Sequence, residues 1–197
     1  MSNYFPFFYQ LPTLHTERMT LRKVNKSDLD SFIEATLSLQ SEKTKVVEDD
    51  CTRFINHLLK CYDKGRPAPW GVIESKSNRL IGVCGFVHWS PLQASAELGY
   101  HLVESYWNAG IMTEVLKCLI DYSFMELGLK RIEAKCQIGN IASKRVLNKV
   151  GMKKSGTYST YVWSSSKYEH LEYFRLDQSE YMRRVWRNPQ QIKVMRK

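Results

Sequence analysis

Apolar residues recur along this chain at two spacings, every second residue and roughly every 3.6 residues, and the switches between them lay out its elements. Tyr4, Phe5, Phe7, Phe8 and Tyr9 form an aromatic stretch broken by Pro6. Glu17 to Val24 alternates and predicts a first strand. Asn25 and Ser27 can cap a helix carrying Leu29, Phe32, Ile33 and Leu37 on one side. A second helix is predicted over about Asp49 to Asp63, burying Phe54, Ile55, Leu58, Leu59 and Tyr62. Gly65, Pro67 and Pro69 punctuate the loop that follows. Trp70 to Glu74 and Leu80 to Trp89 read as a hairpin turning through Ser75-Lys76-Ser77-Asn78. Ala96 to Val103 is a further strand. Thr113 to Leu127 is the strongest helix, with Val115, Leu116, Leu119, Ile120, Ser123, Phe124 and Leu127 in period and Gly128 placed to end it. Arg131 to Ile138 predicts a strand, Ala142 to Val150 a short helix stopped at Gly151, and Lys153 to Ser164 with Tyr168 to Leu176 the last two strands. Strands bracketing helices predict a mixed α/β layer with antiparallel hairpins and one parallel crossover.

Composition narrows this picture. With 43% hydrophobic and 25% charged residues the chain reads as an ordinary globular sequence. Its 197 residues suit one domain with a good core. We read an aromatic N-terminal arm over 1–13, the domain over 14–178 and a basic tail over 179–197. The arm packs on its own subunit or on a neighbour, which makes a homodimer an open reading. No apolar run approaches the roughly 20 residues of a membrane span, and no signal-peptide pattern opens the chain. The expectation is a cytoplasmic protein with no membrane partner. Cys51, Cys61, Cys84, Cys118 and Cys136 are scattered and odd in number, which fits reduced thiols and neither a disulfide frame nor a zinc cluster. No metal is expected. The net charge of +9 is uneven: Arg183, Arg184, Arg187, Lys193, Arg196 and Lys197 follow the last acid, Glu180. That run is either a solvated helix face with a frayed end or an attraction for RNA, a ribosome or a nucleotide cofactor.

Two turns carry candidate chemistry. The first reads Tyr106-Trp107-Asn108-Ala109-Gly110-Ile111-Met112-Thr113-Glu114 and follows the segment Glu97 to Val103. A strand feeding a Gly-containing turn at a helix start makes an anion site, because the first N–H groups of a helix lack internal partners and the dipole adds positive charge. The second turn, Asn140-Ile141-Ala142-Ser143, places an amide and a hydroxyl at another helix start. Together they suggest a phosphorylated cofactor with chemistry close by.

Ala96 through Glu114, and Gly128-Leu-Lys-Arg-Ile-Glu-Ala continued by Gly139-Asn-Ile-Ala-Ser-Lys-Arg-Val-Leu-Asn-Lys-Val-Gly-Met, resemble the GNAT superfamily of acetyl-CoA-dependent N-acetyltransferases. The nearest likeness is to the RimJ/RimL ribosomal-protein branch, whose first strand Thr16-Glu-Arg-Met-Thr-Leu-Arg-Lys-Val also resembles. The resemblance spans about residues 14 to 178. It implies a GNAT fold, α/β (α+β), with a mixed, mostly antiparallel sheet of six to seven strands and about four to five flanking helices.

The resemblance also implies how acetyl-CoA sits. Its pantetheine arm lies along His101, Leu102 and Val103. Its pyrophosphate lies in the turn formed by Asn108, Ala109, Gly110, Ile111, Met112 and Thr113. Asn140 and Ser143 face the pantetheine and the sulfur. Trp107 stands at the first place of the turn, as in the RimJ/RimL branch, and Met112 where Gly or Ala is common. The Tyr that many members carry seven residues after the Asn is Leu147 here, and the branch's alternative acid falls on Ser143. The Glu that the branch can use as base on the next strand has no counterpart near Tyr161 and Val162.

Acetyl transfer needs a neutral amine, a polarised thioester carbonyl and a proton for the leaving thiolate. Ser143 is the candidate acid and Glu97, acting through water, the candidate base. The competing readings are a helix cap for Ser143 and a strand salt bridge for Glu97. His57, His88, His101 and His170 are weaker candidates, and Trp70 reads as core or substrate wall. An α-amine has a pKa about 2.5 units below that of lysine, about 3.5 kcal/mol less deprotonation cost at neutral pH. A weakly written base therefore tilts the acceptor towards a protein N-terminus, such as that of a ribosomal protein. A small amine (polyamine, aminoglycoside or amino-acid derivative) is the alternative acceptor. A non-catalytic CoA-binding or RNA-associated module is the alternative of another class.

Overall fold

A computed structural model describes residues 5–37, 45–162 and 167–187. They form six α-helices, α1 (Phe5–Tyr9), α2 (Asp28–Leu37), α3 (Lys45–Asp63), α4 (Ile111–Met125), α5 (Ile141–Lys149) and α6 (Gln178–Arg187). Eight strands accompany them: β1 (Leu14–His15), β2 (Met19–Arg22), β3 (Trp70–Glu74), β4 (Arg79–Ser90), β5 (Ser95–Leu102), β6 (Arg131–Gln137), β7 (Lys153–Val162) and β8 (Lys167–Asp177). The sequence predicts six to seven strands and four to five helices, so both counts are corrected upwards. The extra strand is β1, two residues too short to show alternation. The extra helix is α1, whose Pro6 sits in a first turn where a missing N–H costs nothing.

The chain divides into two compact units, one of Met1–Val87 with Gly99–Cys118 and the other of His88–Leu98 with Leu119–Lys197. In the first unit the sheet runs β1-β2-β3-β4 and then the last part of β5. β1, β2, β3 and β4 pair antiparallel in turn, with a bulge in β3 between Val72 and Ile73. The predicted hairpin turn closes through Asn78, whose φ of 54° is one Asn tolerates, and its N–H donates to the Glu74 carbonyl at 2.8 Å. Trp70 is the centre of this core, fully buried between the rings of Phe7 and Phe86. Its indole N–H donates to the Pro12 carbonyl at 2.7 Å. The aromatic N-terminal stretch thus packs on its own unit through Phe7 and Phe8. Helices α2 and α3 lie together, with Phe32 stacked on Phe54.

In the second unit the order is β5-β6-β8-β7. β5 pairs with β6 in parallel, Ser95–Leu98 against Arg131–Ala134, which is the predicted crossover. β6 with β8 and β8 with β7 are antiparallel. Gly128 takes the left-handed conformation (φ 65°) after α4, as its position predicts. Leu147, Met152, Ile132, Ala134, Phe174 and Leu176 form the core. Helix α6 is anchored by Tyr181, which packs on Phe124 and donates to Asp121 at 2.6 Å. The first part of the predicted basic tail is therefore a docked helix; Lys193, Arg196 and Lys197 lie outside the described residues.

Carboxylates tie the second unit together. Glu172 is buried between Lys144 and Lys154, and those two hydrogen bonds hold it below the usual carboxylate range. At Asp177 burial acts upwards, but hydrogen bonds from Arg175 and Arg131 outweigh it and the net shift is down. Glu180 is lowered first by Lys153. A carboxylate lowered on folding adds stability above its unfolded value, about 3.9–4.3, and loses it as pH falls through the folded value. The urea midpoint is therefore expected to hold from neutral pH to about pH 5 and to fall steadily below about pH 4. A midpoint unchanged down to pH 3 would show that these pairs contribute nothing.

Candidate active site

In the first unit β5 ends at Leu102 and a 3₁₀ turn over Glu104–Tyr106 leads into the predicted anion turn. Gly99–Leu102 is the last strand segment of that unit. Its inward side is crowded: a Cβ on Gly82 would lie 2.4 Å from the His101 carbonyl. Val103 donates its N–H to the Ile81 carbonyl at 2.9 Å. The turn alternates in hand, with Asn108 at φ 60° and Gly110 at φ 75°, which lets successive amides face one side. Helix α4 opens at Ile111 and its first closing bond is Glu114 N–H to the Gly110 carbonyl. The amides of Ile111, Met112 and Thr113 thus precede the helical ladder, the arrangement that suits a pyrophosphate. The side chains of Ile111 and Met112 are buried, so they anchor the helix start and only their backbone can face an anion. Trp107 donates its indole N–H to the Leu102 carbonyl at 2.6 Å, tying the turn to the strand end.

Sequence reasoning missed the brace behind this turn. Glu114 accepts from the Thr16 hydroxyl at 2.6 Å, from the Arg18 N–H at 2.9 Å and from the Arg18 guanidinium at 2.7 Å. Arg18 also donates to the Ala109 carbonyl at 3.0 Å. Burial acts to raise Glu114, but these hydrogen bonds outweigh it and the net shift is down. The signal was the Thr16-Glu17-Arg18 stretch, which carried the resemblance without an assigned role.

In the second unit Asn140 caps α5, its side-chain oxygen accepting from the Ser143 N–H at 2.9 Å. Ser143 is half-buried in the first helical turn. Leu147, where many members carry Tyr, is fully buried in the core. Glu97 pairs with Lys135 at 2.7 Å. Lys135 lies over the rings of Tyr158 and Tyr173; burial lowers its pKa, but Glu97 and Tyr173 more than offset this and the net shift is up. The ion pair is the competing reading of Glu97. His170 meets Ser159 at 2.7 Å on the last hairpin. Trp70, read as core or substrate wall, is core. Cys84 and Cys136 are buried, and burial pushes both thiols up, which fits inert apolar residues.

The first unit also carries an open hollow of about 610 Å³. α2 and α3 supply Phe32, Phe54 and His57, and β4 and β5 supply Val87, Tyr100 and His101. His101 has an exposed edge but is closely ringed by protein, and that desolvation lowers its pKa.

Residues 18–153 match the family described as the acetyltransferase (GNAT) domain. The chain belongs to the GNAT acetyltransferases. It is 31% identical over 179 residues to the uncharacterized N-acetyltransferase p20 of Bacillus licheniformis, covering 87% of this chain and 99% of that protein. It is 31% identical over 127 residues to the ribosomal-protein-serine acetyltransferase of Escherichia coli K12, covering 64% of this chain and 70% of that one. The fold is shared with RimL, a ribosomal L7/L12 alpha-N-protein acetyltransferase solved in complex with coenzyme A. The TM-score is 0.69 at 17% identity, over 86% of this chain and 99% of that one. This GNAT protein is thus an acetyl-CoA-dependent N-acetyltransferase. No helix among its described residues is long and apolar enough to cross a membrane.

Proposed function

We propose that this enzyme moves the acetyl group of acetyl-CoA onto the α-amine at a protein N-terminus, a ribosomal protein being the first candidate. The observation that carries this reading is the 31% identity to a ribosomal-protein-serine acetyltransferase. The polarity of the hollow supports it: among the described residues lining it, Asp50 is the one carboxylate, and Arg53 pairs with it. A polyamine would meet little compensating charge there. Incubation with acetyl-CoA and two peptides tests the reading. One has a free N-terminus and no lysine; the other is blocked at the N-terminus and has one lysine. Acetylation of the first is expected; modification of the second alone would refute it.

Acetyl-CoA supplies the activated acetyl group. The protein's part is to hold it, accept the amine's proton and deliver one to the thiolate. We assign the outward edge of His101, Leu102 and Val103 to the pantetheine arm, and the turn from Asn108 to Thr113 to the pyrophosphate. Ser143, beside its cap Asn140, delivers the proton, and Glu97, paired with Lys135, takes one through water. The same reading takes residues 14–178 as the catalytic domain between an N-terminal arm and a basic C-terminal segment, in a cytoplasmic protein that can meet ribosomes and can pair with a second copy.

The brace makes a separate prediction. Glu114→Gln releases the Arg18 guanidinium and loosens the turn, so the Kd for acetyl-CoA is expected to rise about tenfold, about 1.4 kcal/mol. At saturating acetyl-CoA kcat stays near its starting value. Calorimetric titration with CoA checks this; an unchanged Kd would remove the brace from cofactor binding.

A further inference from the structure

The wall of the hollow says more about the acceptor than the family does. Phe32, Phe54 and Leu58 line it with apolar side chains, backed by the fully buried Phe86. Val87 stands at its mouth 55% exposed, an aliphatic side chain that the core does not use. Gly99 faces Val87 across the strands: a Cβ there would lie 2.5 Å from Val87 Cγ1, so the valine occupies the space a side chain would take. The volume falls within the roughly 300–1,000 Å³ of pockets that enclose small ligands. Continuity fixes the orientation. β5 contributes Gly99, Tyr100 and His101 to the wall and, from His101 onwards, the edge assigned above to the pantetheine arm. A group seated in the hollow therefore has its attached amine close to the end of β5.

We propose that the hollow receives the first side chain of the acceptor and selects an apolar one, so that the preferred substrate is a peptide beginning with a leucine-, methionine- or phenylalanine-type residue. This rests on the reading that the enzyme acetylates N-terminal amines. A serine or alanine at that place leaves the apolar wall in water, and a lysine or polyamine carries charge into it with no unpaired carboxylate among the described lining residues to meet it. His101, uncharged at neutral pH because desolvation lowers its pKa, adds no repulsion to the arriving amine.

The test uses the full chain with saturating acetyl-CoA and peptides identical except for residue one: Leu, Met, Ala, Ser or Lys, with spermidine alongside. The expected kcat/KM for Leu or Met exceeds that for Ser by about tenfold or more, the size of effect a few methylenes produce in an apolar pocket. Val87→Lys, at an exposed position, is expected to lower kcat/KM for the Leu peptide about tenfold, shrink the Leu-to-Ser ratio and leave the Kd for CoA within about twofold. Phe54→Ala is expected to do the same. Transfer to Ser, Ala or spermidine as fast as to Leu would overturn the selectivity while keeping the enzyme an N-acetyltransferase. CoA binding with no transfer to any acceptor would overturn the underlying reading and the selectivity with it.

Discussion

Ser143→Ala is expected to lower kcat for acetyl transfer about 100-fold while leaving acetyl-CoA affinity and stability nearly unchanged. The cap bond at α5 runs from the Ser143 backbone N–H to the Asn140 side chain, so alanine keeps it. What is lost is the hydroxyl, held at the positive end of a helix where a nearby thiolate is favoured and a proton donor is of use. Asn140→Ala, by contrast, removes the cap and is expected to cost about 1 kcal/mol of stability before any effect on catalysis. Single-turnover thiol release, with CoA titration beside it, separates the two. Full turnover in Ser143→Ala would reduce Ser143 to a helix residue. Glu97→Gln, measured in the same way, decides between proton acceptor and partner of Lys135. A drop in kcat with a shifted pH profile supports the first, and lost stability alone the second.

Trp70→Ala is expected to cost about 3–5 kcal/mol, the range for deleting a fully buried large aromatic. Three losses combine at this position: the ring contacts with Phe7 and Phe86, the buried volume, and the hydrogen bond to Pro12. The Pro12 carbonyl then needs a new partner. Against a total stability of about 5–15 kcal/mol, the variant lies near the threshold of folding. Trp70→Phe retains most of the packing and isolates the hydrogen bond, with an expected loss of about 1–2 kcal/mol. Urea denaturation reads both. A loss below about 1 kcal/mol for alanine would mean that α1 and the first unit's core do not depend on each other through this residue.

Much of this was legible in advance. The Trp70 to Glu74 strand, the hairpin turn at Asn78, the left-handed Gly128 and the parallel crossover all follow from local chemistry, because turn residues and period leave few alternatives there. Element ends were less legible. Helix α4 opens at Ile111, two residues before the predicted start, because the buried side chains of Ile111 and Met112 reward an earlier entry. Helix α3 likewise starts at Lys45, ahead of the predicted Asp49. The site divides in the same way. The glycine-bearing turn before α4 and the Asn140–Ser143 cap are local and could be read. The brace from Arg18 to Glu114 spans 96 residues, and no period or spacing could pair them. The partner of Glu97 was equally hidden, since β6 lies next to β5 only after the crossover has closed. The hollow is assembled from helices and strands far apart in sequence, which is why no pattern announced it.

The most direct measurement is stoichiometric. The purified protein is mixed with acetyl-CoA and a lysine-free peptide with a free N-terminus and an apolar first residue, and free thiol and acetylated peptide are counted together. The account predicts one thiol released per peptide acetylated at its α-amine, well above the protein-free rate and reduced about 100-fold by Ser143→Ala. Binding of acetyl-CoA with no thiol release above background would contradict it.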